Sequence, residues 1–378
     1  MNKLMAVGAL AVVALAACAQ ENNVTGPVAD RAAQIQASTT AVPADAPGAV
    51  YALVNQAVGN AVAVYHRGAD GGLTWQGNVP TGGSGAGASL GSQGAIALSD
   101  DGRWLFAVNA GSNDISAFQV SDGALVFTGR VASGGIRPIS LTVYGDVLYV
   151  LNAGGNGNIS GFAIGAGGEL TPLAGSARAL SGNAVGPAQV SFSPDGRWLV
   201  VTEKATSQLV VYRVGSDGIA SGAVTTPSAG GTPFGFSFGH RDELFVSEAA
   251  GSASSYLIDG NGLLSVASGA VLTHQGAPCW AVVTKNGKFG YTANAQGGSI
   301  SGFAIANDGS INLIDGDGRT AVVGGGNIDL AVSRNSRYLY QLNGNRSISG
   351  FRIEADGHLT PVGNTAGLPA STVGLVAR

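Results

Sequence analysis

Charge is scarce in this sequence. Lys and Arg number 19 and Asp and Glu 23 among 378 residues, 11% in all, and the net charge is −4. A basic footprint is therefore missing, and no nucleic-acid partner is expected. Cysteine is nearly absent: there are two, Cys18 and Cys279, so no disulfide framework is expected to hold the fold. Histidine numbers four, and no pair has metal-ligand spacing, so neither a metal nor a cofactor is expected. Outside the N-terminus no stretch keeps a helical hydrophobic period across a dozen residues. Glycine, in contrast, is abundant, at 61 residues against an average usage of about 7%. It follows no three-residue period, which excludes collagen, and a hydrophobic content of 45% excludes a disordered chain. A Gly-rich, charge-poor chain with many tight turns points to β structure.

The N-terminus reads as an address. Lys3 precedes the apolar run Leu4–Ala17, too short to span a bilayer of about 30 Å, so residues 1–17 are expected to be a signal peptide. Leu15-Ala16-Ala17-Cys18 resembles the bacterial lipobox, which implies cleavage before Cys18 and its acylation. Ala19, rather than Asp, after that Cys suggests the outer membrane. The expected localisation is the bacterial cell envelope, with the lipid anchor as the membrane partner. Residues 18–48 then form a flexible tether, reaching on the order of 30 Å. Cys279 lies in the apolar string Ala-Pro-Cys-Trp-Ala-Val-Val and reads as a buried, inert thiol.

From residue 49 to 378 one unit recurs. An apolar strand, a turn, a second apolar strand, a Gly/Ser loop, a third strand, an Asp-Gly turn and a fourth strand follow one another. Ile-Ser-Gly-Phe appears three times, at Ile159, Ile300 and Ile348. The end of the second strand is marked at Asn55, Asn109, Asn152, Thr202, Ser247, Asn294 and Asn343, a spacing of about 48 residues. Four short strands at that period, seven times over, predict an all-β, seven-bladed β-propeller. Asp101-Gly102, Asp195-Gly196, Asn286-Gly287, Asp308-Gly309 and Asp356-Gly357 read as hairpin turns. Blade one, starting at Val50, lacks an inner strand, and the orphan strand Ser371–Ala377 is expected to supply it, closing the ring.

At Gly186-Pro187-Ala188-Gln189-Val190-Ser191-Phe192-Ser193-Pro194-Asp195-Gly196-Arg197 and Phe245-Val246-Ser247-Glu248-Ala249 the chain resembles the lactonase family of seven-bladed propellers, which includes propeller-type 6-phosphogluconolactonases and a carboxymuconate-lactonizing enzyme. The resemblance implies a site at the top of the central channel built from a His, an Arg and a Glu. Here the His position holds Gln189, the Arg position holds Phe234, and the Glu survives as Glu248. Lactone hydrolysis needs a group to activate water and a donor to stabilise the oxyanion. Gln189 is no base at neutral pH, and Phe234 cannot grip a phosphate. Arg137, near the top of blade three, is a candidate replacement cation.

By blade geometry Gln189, Trp280 and Asp329 start inner strands, whereas Glu203 and Glu248 end second strands, so all are expected to face one mouth. There Glu248 is the candidate catalytic base, and Gln189, Glu203, Trp280, Asp329 and Arg137 are candidate ligand-binding residues. Gly87-Ala88-Ser89-Leu90-Gly91 spells a nucleophile elbow, but lies in an inter-blade connection without a strand-to-helix turn, and is read as chance. Three functions remain open. The first is an envelope-anchored, monomeric propeller that binds a small molecule or protein ligand with a degenerate active site. The second is a hydrolase of a neutral lactone using Glu248, and the third an interaction platform.

Overall fold

A computed structural model describes residues 46–378 apart from Gly325. The signal segment, Cys18 and residues up to 45 lie outside the described residues. From residue 46 onward the strands form seven antiparallel sheets in a ring, and no helix occurs among the described residues. The all-β, seven-bladed propeller read from the repeat is the fold observed.

Blade four shows the unit. Its inner strand is Pro187–Phe192, its second Trp198–Glu203, its third Gln208–Val214 and its outer strand Ala220–Pro227. Every residue of the second strand is buried, because neighbouring blades cover both of its faces. The outer strand is mostly open to water. This radial gradient explains why second strands such as Val147–Asn152 and Tyr338–Asn343 are nearly continuous in apolar residues rather than alternating. In blades three and six the outer strand is split into two short pieces, Leu170–Pro172 with Arg178–Ala179 and Ile311–Leu313 with Ala321–Val322.

Blades are latched to one another by a repeated contact. A Tyr in the second strand donates its hydroxyl to the carbonyl of a turn glycine in the next blade. Tyr51 does so to Gly123 at 2.9 Å, Tyr149 to Gly218 at 3.0 Å, Tyr291 to Gly357 at 2.8 Å and Tyr340 to Gly71 at 2.8 Å. The turn must be glycine for two reasons. At Gly71 φ is +87°, and a Cβ there would lie 2.4 Å from the Tyr338 ring. Each buried Tyr or Phe side chain contributes roughly 1.5–3 kcal/mol by leaving water.

The ring closes as the sequence predicts. Val373–Ala377 lies innermost in blade one, antiparallel to Gly48–Leu53, with Val50 opposite Ala377 and Tyr51 opposite Val376. An apolar cluster spans the seam, joining Val50, Ala52 and Ala63 to Tyr340, Leu342 and Ile348. One detail of the repeat shifts. Pro187 pairs with Glu203 and Pro233 with Glu248, just as Pro278 pairs with Asn294, so the strand-end counterparts in blades four and five are Glu203 and Glu248. Thr202 and Ser247, one residue earlier, bond the next blade's inner strand instead. The Thr202 hydroxyl donates to the Phe234 carbonyl at 2.6 Å and the Ser247 hydroxyl to the Cys279 carbonyl at 2.6 Å.

Candidate functional site

The top face is the one where inner strands begin and second strands end. In five of the seven blades the second strand ends in a polar side chain that bonds a serine of the adjoining third strand. Asn294 donates to the hydroxyls of Ser299 and Ser301 at 3.0 and 2.9 Å, and Asn343 to those of Ser347 and Ser349 at 3.1 and 2.9 Å. Glu248 occupies the same position with the polarity reversed. Its carboxylate accepts from Ser252 Oγ at 2.5 Å, Ser254 Oγ at 2.7 Å, Gly230 N at 2.7 Å and Ser228 Oγ at 3.0 Å. The residue is wholly buried. Glu203 is also wholly buried and accepts from the Ser181 backbone N–H at 3.0 Å, the Ser181 hydroxyl, and Thr206 Oγ1 at 3.1 Å. Both carboxylates therefore tie hairpins to inter-blade loops. The expectation that they face an open mouth is corrected by these contacts.

In blades three, four and seven a side chain two residues into the inner strand braces the neighbouring inner strand. Ser140 Oγ accepts from Val190 N at 3.2 Å. The Gln189 amide clasps Phe236, accepting from its N–H at 2.7 Å and donating to its carbonyl at 3.0 Å. Asp329 Oδ1 accepts from Leu330 N at 2.8 Å and Oδ2 from Leu375 N at 3.1 Å, so it holds the closing strand to blade seven. Burial pushes its carboxyl well above the usual carboxylate range, against the pull of those two N–H groups.

Blade five breaks the series, because Gly235 stands at the bracing position and has no side chain. The brace arrives from across the ring. Gln93, just before the inner strand of blade two, donates to the Ala281 carbonyl at 2.7 Å and accepts from Ala281 N at 2.9 Å. A Cβ on Gly235 would sit 2.0 Å from the Gln93 Oε1 atom, so the glycine makes room for the crossing. Trp280 meets the same segment, donating its Nε1–H to the Ser92 carbonyl at 3.0 Å. Its ring packs edge-on against Phe234 at 5.2 Å. Ser92 Oγ also bonds the Ile139 carbonyl at 2.8 Å, and Gln93 N the Ala188 carbonyl at 3.2 Å.

The connection of residues 81–95 thus lies over the top of the channel and plugs it. The Gly87–Gly91 motif belongs to this plug, where Asn55 holds Ala86 N at 2.8 Å and the Ala88 carbonyl at 2.7 Å. The channel opens instead at the opposite face, as a cavity of about 800 Å³ floored by Gln93 and Gln189 and walled by Thr142, Ser191 and Ser237.

At the top face lies a cleft of about 270 Å³ between blades three and four. It brings together Arg137, which the sequence suggested, and Lys204, which it did not. Arg137 is exposed in a left-handed backbone conformation, with φ 56°, its own N–H held by Asn113 Oδ1 at 2.7 Å. Lys204 follows Glu203 in the blade-four hairpin. Its ammonium bonds the Gly91 carbonyl of the plug and lies 4.8 Å over the Phe234 ring. Burial, against a pull from Cys279 and with a smaller push from the Arg137 charge, brings the ammonium down to about 8. The Cys279 thiol is pushed up to about 11 by burial, as expected for an inert thiol. A cation therefore does stand at Phe234, although not on the blade that the family pattern would use.

Residues 46–186, which are the first three blades and the link to the fourth, match the family described as lactonase, 7-bladed beta-propeller. No curated protein matches the chain in sequence. Among solved structures, the chain is similar to the periplasmic gluconolactonase of Pseudomonas aeruginosa, with 20% identity, a TM-score of 0.69, and coverage of 87% of this chain and 98% of that one. A protein of Bacteroides fragilis, assigned by resemblance as a 6-phosphogluconolactonase, gives 18% identity, a TM-score of 0.67, and coverage of 88% and 98%. A Lactobacillus plantarum protein gives 18% identity, a TM-score of 0.69, and coverage of 87% and 98%. At these identities the likeness to solved structures is one of fold. The family match and the seven blades agree with the resemblance read from the strings at 186–197 and 245–249, although the matched residues end where the first of these begins.

Proposed function

We propose that this chain is a lactonase-fold propeller of the bacterial cell envelope that binds a small molecule at its top face and does not hydrolyse lactones. The observation that carries this reading is the state of Glu248. A general base needs a free lone pair directed at water, and this carboxylate is buried and already meets four donors. Gln189 and Phe234 support the same reading, since one is committed to bracing two blades and the other to packing on Trp280. Fold likeness alone does not set activity, so the gluconolactonase named among the similar structures fixes neither substrate nor reaction for this chain. The envelope address rests on the apolar run Leu4–Ala17 and the lipobox-like string ending at Cys18.

The test is a direct assay of 6-phosphogluconolactone and unphosphorylated gluconolactone with the wild type and with Glu248→Gln. No turnover above the uncatalysed rate is expected with either substrate. Turnover that disappears in Glu248→Gln, while the variant keeps its melting temperature, would overturn the reading. Fractionation of cells carrying Cys18→Ser tests the address: the wild type should partition with membranes and the variant should not, because several acyl chains anchor far more firmly than one.

A further inference from the structure

We infer that the cleft between blades three and four is a binding site for a small organic carboxylate with a compact apolar body, its charged end held between Arg137 and Lys204. This deepens the binding reading above and rests on it, but it is tested by binding rather than by turnover, so the two can fail separately.

Three features point to an anion. Both titratable side chains lining the cleft are cationic, and no carboxylate lines it. The Arg137 guanidinium makes no hydrogen bond or ion pair with the described residues; only its backbone N–H is held. Lys204 is mostly withdrawn from water yet has only a carbonyl and an aromatic face as partners, so its charge is under-compensated. Two like charges line one recess, neither with a counter-ion among the described residues, and they repel each other. An oxyanion between them removes that repulsion, gives the Arg137 guanidinium an acceptor and gives the Lys204 ammonium one beyond the Gly91 carbonyl. The planar fork of Arg137 suits a carboxylate, while Lys204 adds a point charge from the depth of the cleft.

The walls restrict the rest of the molecule. Leu90 from the plug, Ile139 from the inner strand of blade three, and Leu180 and Val185 from the link to blade four line the cleft. The volume of about 270 Å³ accommodates a single ring or branched chain beside the charged group, not a polymer. Because Gly91 binds the Lys204 ammonium, the plug and the site are one unit.

The test is calorimetric titration of the full chain with benzoate, with its neutral counterpart benzamide, and with inorganic phosphate. Saturable benzoate binding at least tenfold tighter than benzamide is expected. Arg137→Gln and Lys204→Met should each weaken benzoate at least tenfold. Arg137 is exposed, so its variant should fold and melt like the wild type. Benzoate affinity should fall about tenfold between pH 7 and 9.5 as Lys204 loses its proton, since Arg137 is the other charged group lining the cleft and the Cys279 thiol, pushed up to about 11, stays neutral over that range. Absence of saturable benzoate binding would overturn the proposal, as would equal affinity for benzamide or indifference to Arg137→Gln. Binding of phosphate without benzoate would also overturn it, by showing a site for free inorganic anions.

Discussion

Glu248 and Lys204 are both charged side chains withdrawn from water at the top face, on neighbouring blades, and they differ in how the chain treats them. Glu248 is surrounded by four donors from one inter-blade loop and the third strand of its own hairpin. Lys204 is given one carbonyl and the face of Phe234. The first arrangement stabilises the charge and fixes the structure around it. The second leaves part of the desolvation cost standing, which is why the ammonium is displaced to about 8. A buried charge that is fully satisfied is a fastener, whereas one left short of partners is available to a ligand. Asp329 lies between these cases, with two N–H donors and a carboxyl pushed upward by burial.

Substitutions separate satisfaction from burial. The largest effect is expected for Glu248→Ala, which strands Gly230 N–H and three serine hydroxyls. A loss of about 3–5 kcal/mol is expected in denaturant unfolding, with Glu248→Gln milder. Gln93→Ala should cost about 2–3 kcal/mol, because the N–H and carbonyl of Ala281 lose partners that no local side chain can replace. Lys204→Met should instead stabilise the protein at pH 7, by roughly 1–2 kcal/mol, since it removes an under-compensated charge at nearly constant volume. The sign follows from titration. The native ammonium lies at about 8 and its ordinary value is 10.5, so the unfolded chain binds more protons between those values. Wild-type stability therefore rises with pH across that window, and the advantage of Lys204→Met should shrink as it does. Were burial alone decisive, Glu248→Ala and Lys204→Met would shift stability the same way.

The smallest change is expected for Asp329→Asn, below about 1 kcal/mol, because the amide can still accept from Leu375 N. Its native carboxyl is raised above 3.8, so the folded protein binds the extra proton and loses stability as pH rises through the native value. The gain in Asp329→Asn should accordingly appear at neutral pH and vanish near pH 3. Melting curves at both pH values check this.

The blade repeat, the Asp-Gly turns and the closing strand were legible in the sequence because each is local or periodic. The strand ends in blades four and five were placed one residue early because Thr202-Glu203 and Ser247-Glu248 offer two adjacent polar residues, and only the pairing with Pro187 and Pro233 chooses between them. The plug was illegible for a different reason. Gln93 and Ala281 are 188 residues apart and share no pattern. The one signal available was negative: Gly235 leaves without a side chain a position that blades three, four, six and seven fill with Ser140, Gln189, Trp280 and Asp329. Lys204 was missed because nothing in its hairpin sequence says that the neighbouring inter-blade link is short of acids.

The tyrosine-to-glycine latches bear on cooperativity. An open array of repeats couples each unit to its neighbours and frays from its ends. Here the Tyr340 latch to Gly71 joins blade seven to blade one with the same geometry used between sequential blades, so no blade is terminal. Releasing any single blade disrupts two interfaces at once, which raises the free energy of partial opening toward that of losing the whole ring. Amide hydrogen exchange in the buried second strands should then proceed through one shared, global event, with no blade exchanging ahead of the others.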